Sequence, residues 1–372
     1  MKLLIFFFIV IFIGYYVSDY YIRIVFKNIS LKRELSKNRV FPGEEFKVNV
    51  FVENRKLLPI SFLNIKEQMP RQMERKYSDN GKIGSEGAGY SDSYFIAGRE
   101  RVRRSYPVHI KSRGVYILKN MEVSISDFLG VHKESRKVED YFEIVVFPRL
   151  KSLVGDRIIS NSILGDNTVK RWIYDDPMYV KGIREYTYGD RMKDIHWNSS
   201  LKNNKLLVKD YDFTSDREVV IILNTQYKRP LWMEIDPQGI DRGCEIAAAV
   251  AEEFLNLGIA TGIWSNSHII SYYGDLLDKV PPSLKGINGI LEFCGRIGYM
   301  PKTDFYDYLK SNMAFLNKNT VYIIIAGYLT EDSKELLYEA AMKGIIIKLI
   351  DISCDSSLSN ISRIELLRMG EK

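Results

Sequence analysis

The chain has 372 residues, of which 46% are hydrophobic and 27% charged, and its formal net charge is +6. These values are typical of globular proteins, so they exclude a largely disordered chain, and the length suits about two domains. The small basic excess gives no reason to expect nucleic-acid binding. The cysteines Cys244, Cys294 and Cys354 are odd in number and lack metal-ligand spacing, which favours a reducing compartment over a disulfide framework.

The first element is an apolar segment at the N-terminus. Residues 3–18 carry no charged side chain, and the apolar pattern resumes around Asp19 and Arg23. As a helix the whole stretch would reach roughly 36 Å, which is enough to cross a hydrocarbon core of about 30 Å. A cleaved signal peptide is the alternative, but the run is followed by no small-x-small cleavage motif. We therefore expect a retained transmembrane anchor over residues 1–27.

Flanking charge predicts the orientation of this anchor. Lys2 precedes the span, whereas six Lys and Arg residues follow it between Arg23 and Arg39. The positive-inside rule places the more basic flank in the cytoplasm. The sequence thus predicts a single-pass protein of the cell membrane, bound to lipid through its anchor, with cytoplasmic soluble domains.

Residues 28–149 are predicted to form a β-sandwich-like domain. From Phe46 to Val52 apolar residues recur with a period of two, which is the pattern of a half-buried strand. Further strands are predicted over residues 106–110, 114–118, 121–125 and 142–147. The stretch 77–98 is rich in Gly, Ser and Asp, so we expect a long loop there.

Residues 218–372 show alternating strand and helix patterns, after a connector of mixed character over residues 150–217. Residues 219–223 are a continuous apolar run, as expected of a strand buried on both faces. Helical spacing recurs over residues 246–257, with Gly258 as the stop. Further helices are predicted over 287–297, 305–315 and 330–342, and further strands over 259–264, 321–326 and 345–350. This alternation predicts a doubly wound α/β domain with a mainly parallel sheet.

The connector contains the densest cluster of unusual side chains. Five fall within eight positions: Asp190, Arg191, Asp194, His196 and Trp197. In a hydrolase, Asp194 and His196 would form an acid–base pair or ligate a metal, with Asp190 as a third member. No nucleophile accompanies them at a recognised spacing, so we favour capping and ion pairing instead and assign no catalytic residue.

We expect residues 182–209 to act as a clasp between the β domain and the α/β domain. Such a segment needs hydrogen-bond partners on both sides of a domain boundary, and the guanidinium forks of Arg184 and Arg191 suit carboxylates and carbonyls. Trp197 would fill a hydrophobic gap, at a cost of about 3–5 kcal/mol when truncated. Residues 206–208 would add an edge strand to the α/β sheet.

The same segment carries a recognisable set of residues. Its members are Arg184, Glu185, Tyr186, Gly189, Asp190, Arg191, Asp194, His196 and Trp197. Three shorter motifs accompany it: Ser112-Arg113-Gly114, Ser126-Asp127-Phe128-Leu129-Gly130 and Val146-Phe147-Pro148-Arg149. Together these residues resemble the domain-of-unknown-function 58 family along nearly the whole chain.

This resemblance implies a membrane-anchored prokaryotic protein whose C-terminal half is von Willebrand factor A-like. It also implies two partners, a MoxR-type AAA+ ATPase and a transglutaminase-like membrane protein. The function predicted from the sequence is accordingly a non-enzymatic interaction or scaffold protein at the membrane. The alternative is a hydrolase that uses Asp190, Asp194 and His196.

The resemblance also raises the question of a metal site. In von Willebrand factor A domains the first strand of the sheet typically ends in Asp-x-Ser-x-Ser, which helps to hold Mg²⁺. Here Asn224 stands at the position of the Asp, and Gln226 at that of the first Ser. Magnesium prefers hard oxygen ligands that carry carboxylate charge. The motif is therefore degenerate, and we predict neither a bound metal nor another cofactor.

Overall fold

The structure is a computed structural model. It describes residues 2–76, 82–84, 87–127, 132–150, 180–187, 190, 192–211, 218–230, 234–274, 278–353 and 358–368. The chain divides into two compact units. Unit 1 comprises Met1–Arg149 and Ile270–Asp275, and unit 2 comprises Leu150–Ile269 and Leu276–Lys372. The predicted connector falls in unit 2.

Unit 1 begins with a long apolar helix. Helix α1 (Lys2–Val25) contains a 22-residue stretch, Leu4–Val25, with a mean hydropathy of 1.8, which is long and apolar enough to cross a membrane. Its first turns expose large apolar side chains, whereas Tyr21, Ile22 and Val25 are buried in the core of unit 1. The predicted helix is therefore present, and its last turns belong to the β domain.

Three sheets make up the rest of unit 1 in the residues that the structure describes. One contains β1 (Ile29–Leu35), β3 (Phe46–Asn54), β5 (Met73–Arg75) and β8 (Arg101–Ile110), in the order β1-β3-β8-β5. A second contains β4 (Ile60–Met69), β6 (Lys82–Gly84), β7 (Gly87–Ile96), β10 (Met121–Ser126) and β11 (Lys133–Val138), in the order β11-β10-β4-β7-β6. The third contains β2 (Arg39–Val40), β9 (Gly114–Leu118) and β12 (Phe142–Val146), in the order β2-β12-β9.

The first two sheets of unit 1 share one apolar core. Val48 and Val50 of β3 and Leu63 and Ile65 of β4 belong to the same buried cluster, as a sandwich requires. Strand β7 corrects the loop predicted over residues 77–98. Its small polar residues were interpreted as loop-forming, but they alternate with buried aromatic residues and so form the outer side of a strand.

Unit 1 also buries a charged cluster. The Arg33 and Glu67 side chains are 0% and 3% exposed, and Arg33 Nη1 lies 3.4 Å from Glu67 Oε1. Arg33 Nη2 donates to the Lys119 carbonyl at 2.9 Å, and the Tyr106 hydroxyl donates to Glu67. Burial raises the pKa of Glu67, although Tyr106 and Arg33 act in the opposite direction. Arg33 Nε also lies 3.2 Å from the Asp140 carboxylate. We name Arg33, Glu67, Tyr106 and Asp140 the core charge cluster.

In the described residues, unit 2 is built on a six-stranded sheet. Its strands are β15 (Glu218–Leu223), β16 (Ala260–Ser265), β18 (Lys279–Ser283), β20 (Thr320–Ala326), β21 (Ile346–Asp351) and β22 (Glu365–Arg368), in the order β18-β16-β15-β20-β21-β22. All neighbouring pairs are parallel except β16 and β18. A separate pair consists of β17 (Ser267–Ile269) and β19 (Ile297–Pro301).

Helices cover both faces of this sheet. They are α3 (Pro237–Asn256), α4 (Ile287–Arg296), α5 (Phe305–Asn312), which continues into a 3-10 turn (Met313–Phe315), and α6 (Glu331–Met342). Odd-numbered residues of β15, such as Ile221, pack with α3 and α4 in one apolar cluster. Even-numbered residues, such as Ile222, pack with α5 and α6 in another. The continuous apolar run predicted a strand buried on both faces, and the structure confirms it.

The described part of the connector is a small folded segment. Strands β13 (Val180–Glu185) and β14 (Leu207–Tyr211) pair antiparallel, and a 3-10 turn (Met192–Asp194) and α2 (Trp197–Asn203) lie between them in the chain. The predicted edge strand over residues 206–208 is therefore wrong in its partner. The backbone groups of β14 bond to β13, the other arm of the same hairpin, instead of to the six-stranded sheet.

Candidate functional site

The carboxyl edge of the parallel strands is the place where the topology favours a site. Strand β15 lies in the middle of the sheet, between β16 on one side and β20 on the other. In open α/β sheets, ligands bind outside the carboxyl ends of strands at the point where the strand order reverses. The side chains that meet there are Asn224, Thr225, Gln226, Arg229, Asn266 and Asp304, which we name the edge network.

Asn224 joins the ends of two neighbouring strands. Asn224 is 1% exposed, and its Nδ2 donates to the Tyr328 carbonyl at 2.8 Å. Its Oδ1 accepts from the backbone nitrogen of Gln226 at 2.9 Å. Both ends of the amide are thus used to shape the loops after β15 and β20, a role that a carboxylate could not fill because it lacks a donor.

Gln226 connects the same loop to the start of α5. Its Oε1 accepts from the backbone nitrogen of Phe305 at 2.8 Å, and its Nε2 donates to Asp304 Oδ2 at 3.1 Å. The first of these bonds satisfies one of the backbone donors that a helix N-terminus leaves unpaired. Asn266 plays a similar part after β16, because its Oδ1 accepts from the Thr225 backbone nitrogen at 2.9 Å.

Asp304 and Arg229 form the charged part of the edge network. Arg229 donates from Nε to Asp304 Oδ2 at 2.7 Å and from Nη2 to Oδ1 at 2.8 Å, a bidentate pair. Asp304 Oδ1 also accepts from the Tyr306 backbone nitrogen at 2.9 Å as the N-cap of α5. The hydrogen bond from Arg229 holds the pKa of Asp304 below its ordinary value, and the same bond raises the pKa of Arg229.

These contacts define what the edge can do chemically. A divalent cation needs uncompensated anionic oxygens, whereas the carboxylate of Asp304 is already matched by a guanidinium. Across the residues that the structure describes, no group of three or more His, Cys, Asp and Glu side chains is arranged to hold a metal ion. At this edge the guanidinium of Arg229 compensates the negative charge of Asp304.

A polar cavity of about 530 Å³ lies beside the edge network. Its lining includes Ser265, Ser267, Asp278, Lys302, Asp307 and Asn312. Two of its hydroxyls donate to the backbone: Ser265 Oγ to the Leu223 carbonyl at 2.9 Å, and Ser267 Oγ to the Gly298 carbonyl at 3.0 Å. Neither serine is therefore presented as a nucleophile activated by a base.

The connector residues singled out from the sequence form two separate local arrangements. Arg184 donates two hydrogen bonds to Asp190, from Nη2 to Oδ1 at 2.7 Å and from Nη1 to Oδ2 at 2.8 Å. The backbone nitrogen of Thr187 donates a third to Asp190 Oδ2 at 2.8 Å. The Arg184 bond lowers the pKa of Asp190. Glu185 pairs with Lys205 at 2.9 Å, on the surface.

His196 belongs to the second arrangement, at the start of α2. Its Nδ1 accepts from the Ser199 backbone nitrogen at 3.2 Å, which makes it the N-cap. Tyr186 joins the hairpin through its backbone nitrogen, which donates to the Leu206 carbonyl at 3.0 Å, and Asp194 ends the 3-10 turn. Gly189 and Arg191 lie outside the described residues.

The burial predicted for Trp197 is wrong, because Trp197 is 56% exposed. It is the first residue of a seven-residue helix whose only buried member is Ser200. Seven residues make only about two turns, so the helix buries one narrow stripe, and Trp197 lies outside that stripe.

Sequence reasoning named Asn224 and Gln226 but missed Arg229, Asn266 and Asp304. Asp304 carried a usable signal, because an Asp before a helical pattern is a typical N-cap. Arg229 carried none, since it reaches Asp304 across 75 positions of sequence. The sequence placed Arg184 and Asp190 in one short segment, and the structure brings them into contact.

Comparison with known proteins yields distant similarities. No family model matches the chain. A Bacillus subtilis (strain 168) protein described as uncharacterized protein YeaD is 17% identical over 242 residues, which cover 64% of this chain and 56% of that protein. The chain therefore spans about half the length of this relative.

Three solved structures each match about a third of this chain. A CARDB domain from Pyrococcus furiosus has a TM-score of 0.21 and 10% identity, covering 32% of this chain and 91% of that one. A cohesin from Archaeoglobus fulgidus has a TM-score of 0.23 and 15% identity, with 32% and 91% coverage. A Clostridium perfringens cohesin module has a TM-score of 0.23 and 11% identity, with 32% and 95% coverage.

Proposed function

We propose that this chain is a membrane-anchored interaction protein without catalytic activity of its own. The observation that carries this proposal is the state of the edge network. The topology favours a ligand site there, yet Asn224, Gln226, Asn266 and Asp304 use their polar atoms to hold loops and a helix start in place. A loop surface whose polar side chains are already bonded to one another suits recognition of another protein better than chemistry on a small molecule.

The partner and the attachment follow from the remaining features. Helix α1 is long and apolar enough to tether the chain, and the basic residues after it favour a cytoplasmic location for the rest. The resemblance to the domain-of-unknown-function 58 family, with a von Willebrand factor A-like unit 2, points to a MoxR-type AAA+ ATPase as the partner. A transglutaminase-like membrane protein is the second partner that it suggests.

The hydrolase alternative receives less support from the geometry. Both oxygens of the Asp190 carboxylate accept bonds from Arg184, and His196 Nδ1 accepts a bond that caps α2. Each group therefore has a local structural task. On this view, His196→Ala leaves partner binding unchanged, and a loss of binding in this variant would point to a functional site in the connector.

Site-specific crosslinking in native membranes tests the interaction. A photo-crosslinking amino acid at Glu331, which opens α6 at the carboxyl edge and has an 83% exposed side chain, should capture a MoxR-type ATPase. The same amino acid at Lys343, exposed at the other end of that helix, is the matched control and should not. Equal capture at both positions, or no protein captured at either, would contradict the proposal.

A reporter fusion tests the predicted side of the membrane. A reporter that is active only in the cytoplasm should give signal when it is fused after Lys372. Signal from a reporter that is active only outside the cell would reverse the orientation.

A further inference from the structure

Two exposed aromatic side chains lie together on the outer face of the five-stranded sheet. Phe62 of β4 is 58% exposed and Phe95 of β7 is 64% exposed. Leu63 pairs with Tyr94, and both are buried, so the residues next to them in the two strands point outward on the same side. We name Phe62 and Phe95 the aromatic patch.

The register connects the aromatic patch with helix α1. Phe62 pairs with Ser126, the last residue of β10, and Asp127 follows directly. The hydroxyl of Ser18 in α1 donates to the Asp127 carboxylate. The Ser18 hydroxyl also lies 3.1 Å from Nδ1 of His132, whose ring lies 4.8 Å from that of Tyr15. The end of the sheet that carries the aromatic patch therefore adjoins residues 15–18 of α1.

Residues 15–18 are the level at which α1 changes character. The helix exposes large apolar side chains from Leu4 to Val17, among them Tyr15 and Tyr16, and Ser18 is its first buried residue among those whose side chains are described. Tyrosines favour the headgroup region at a bilayer boundary. Because unit 1 packs on α1 from Ser18 onward, a bilayer that holds the exposed turns lies on the N-terminal side of Ser18. The end of the sheet that carries the aromatic patch is therefore the part of unit 1 that faces this bilayer.

The composition of the sheet face agrees with this position. Away from α1, the outward residues of β4 and β7 are polar: Asn64, Lys66, Gln68, Ser91 and Ser93. Next to α1 they are Phe62 and Phe95, and the exposed Lys133 pairs with Ser126 on the far side of β10. Aromatic rings and lysines together are the usual composition of a membrane interface, where rings enter the headgroup layer and ammonium groups meet lipid phosphates.

We propose that the aromatic patch is a second membrane contact of unit 1, which inserts Phe62 and Phe95 into the headgroup layer of an anionic bilayer beside the anchor. This inference rests on the membrane attachment proposed above. The contact fixes which side of the β domain faces the lipid. Lys133 lies in register with Phe62, two strands away across β10, and its ammonium group adds electrostatic attraction to lipid phosphate.

Lipid photo-crosslinking of the full chain tests the contact. The chain is reconstituted into nanodiscs of phosphatidylcholine and phosphatidylglycerol, with benzoylphenylalanine placed at Phe62, Phe95, Gln68 or Phe8 in turn. Gln68 is the matched control, because it lies on the same face of β4 roughly 20 Å further along the strand. Phe8, in the exposed apolar part of α1, reports attachment itself. Lipid adducts are expected at Phe8, Phe62 and Phe95, and no adduct is expected at Gln68.

The outcomes separate this inference from the function on which it rests. An adduct at Phe8, with Phe62 and Phe95 no more reactive than Gln68, overturns the second contact and leaves the anchor intact. Crosslinks from Phe62 or Phe95 to protein instead of lipid also overturn it. No lipid adduct at Phe8 removes the attachment and the second contact together. Because both phenylalanines are exposed, the replacements should leave the thermal unfolding of the chain unchanged, which is checked first.

Discussion

An arginine meets a carboxylate in both units, and the two settings differ in burial. In the core charge cluster the Arg33 and Glu67 side chains are 0% and 3% exposed. In the edge network the Arg229 and Asp304 side chains are 41% and 16% exposed, and Arg229 reaches on to Asp332, which is 59% exposed. The first cluster is enclosed by the β domain, and the second stands at the water-facing rim of the parallel sheet.

This difference changes the sign of the pKa shift. Burial is the largest effect on Glu67 and raises its pKa, in spite of the nearby Arg33. Hydrogen bonds from Arg229 are the largest effect on Asp304 and lower its pKa. Burying an arginine–carboxylate pair thus costs free energy, whereas the same pair at a surface costs little. The reason is that the desolvation penalty of a buried pair can exceed its electrostatic attraction. Each of the following variants tests a part of this contrast.

Removing the buried guanidinium should have the largest effect. Arg33→Ala leaves the buried carboxylate of Glu67 without its counter-charge, so we expect unit 1 to lose about 3–5 kcal/mol. Hydrogen exchange of the amides in β3 and β8 measures this in the full chain. Lys32→Ala is the control, since Lys32 is the next residue of β1 and has a 68% exposed side chain. Equal protection in the two variants would refute a buried cluster.

Gln226→Ala should have the next largest effect, in unit 2. It leaves the buried Phe305 backbone nitrogen without an acceptor, at a cost of about 1–3 kcal/mol. Tryptophan fluorescence during denaturant unfolding reports on unit 2 through the buried Trp264. Lys228→Ala, at an exposed neighbouring position, should change the midpoint little, and a shift as large as that of Gln226→Ala would mean that the loop itself tolerates no change.

The charge of Asp304 should show itself in the pH dependence of stability. Since its folded pKa lies below the ordinary value of 3.8, its contribution is complete above that pH and is lost as the pH falls through the folded pKa. Asp304→Asn keeps an N-cap acceptor but removes the charge. The parent should therefore be more stable than the variant by about 0–1 kcal/mol above pH 3.8, because the partner is exposed, and the difference should vanish in stronger acid. A difference that grows with acidity would contradict this sign.

Trp197→Ala should have the smallest effect. With more than half of its surface exposed, its truncation should change the free energy of unfolding by less than about 0.5 kcal/mol. Acrylamide quenching before and after the substitution should show the loss of an accessible tryptophan. Trp264→Phe, at a position 8% exposed, provides the contrast and should retain that accessible signal. A loss of several kcal/mol from Trp197→Ala would restore the buried position predicted from the sequence.

The fold could be predicted best where one residue type dominates a run. The apolar residues of β15 and the helical spacing after it gave the parallel sheet, because burial on both faces leaves no other pattern. Strand β7 was missed because Gly and Ser are frequent in its sequence and indicate a loop when they are counted without the buried Tyr90 and Tyr94 that alternate with them. The hydrogen-bond and ion-pair partners within a site are harder to predict. Asn224 and Gln226 could be named from the sequence, but the partner that neutralises Asp304 comes from an unrelated position in the chain.

Helix α1 passes without a break from its exposed apolar turns into the core of unit 1, where Val25 is 0% exposed. A flexible linker would let the β domain swing freely beneath its attachment point. Under the proposed membrane attachment, this continuous helix would instead couple a change in its tilt to a rotation of the domain. The thickness of the surrounding bilayer, which sets the tilt of a long apolar helix, would then steer the direction in which the β domain faces.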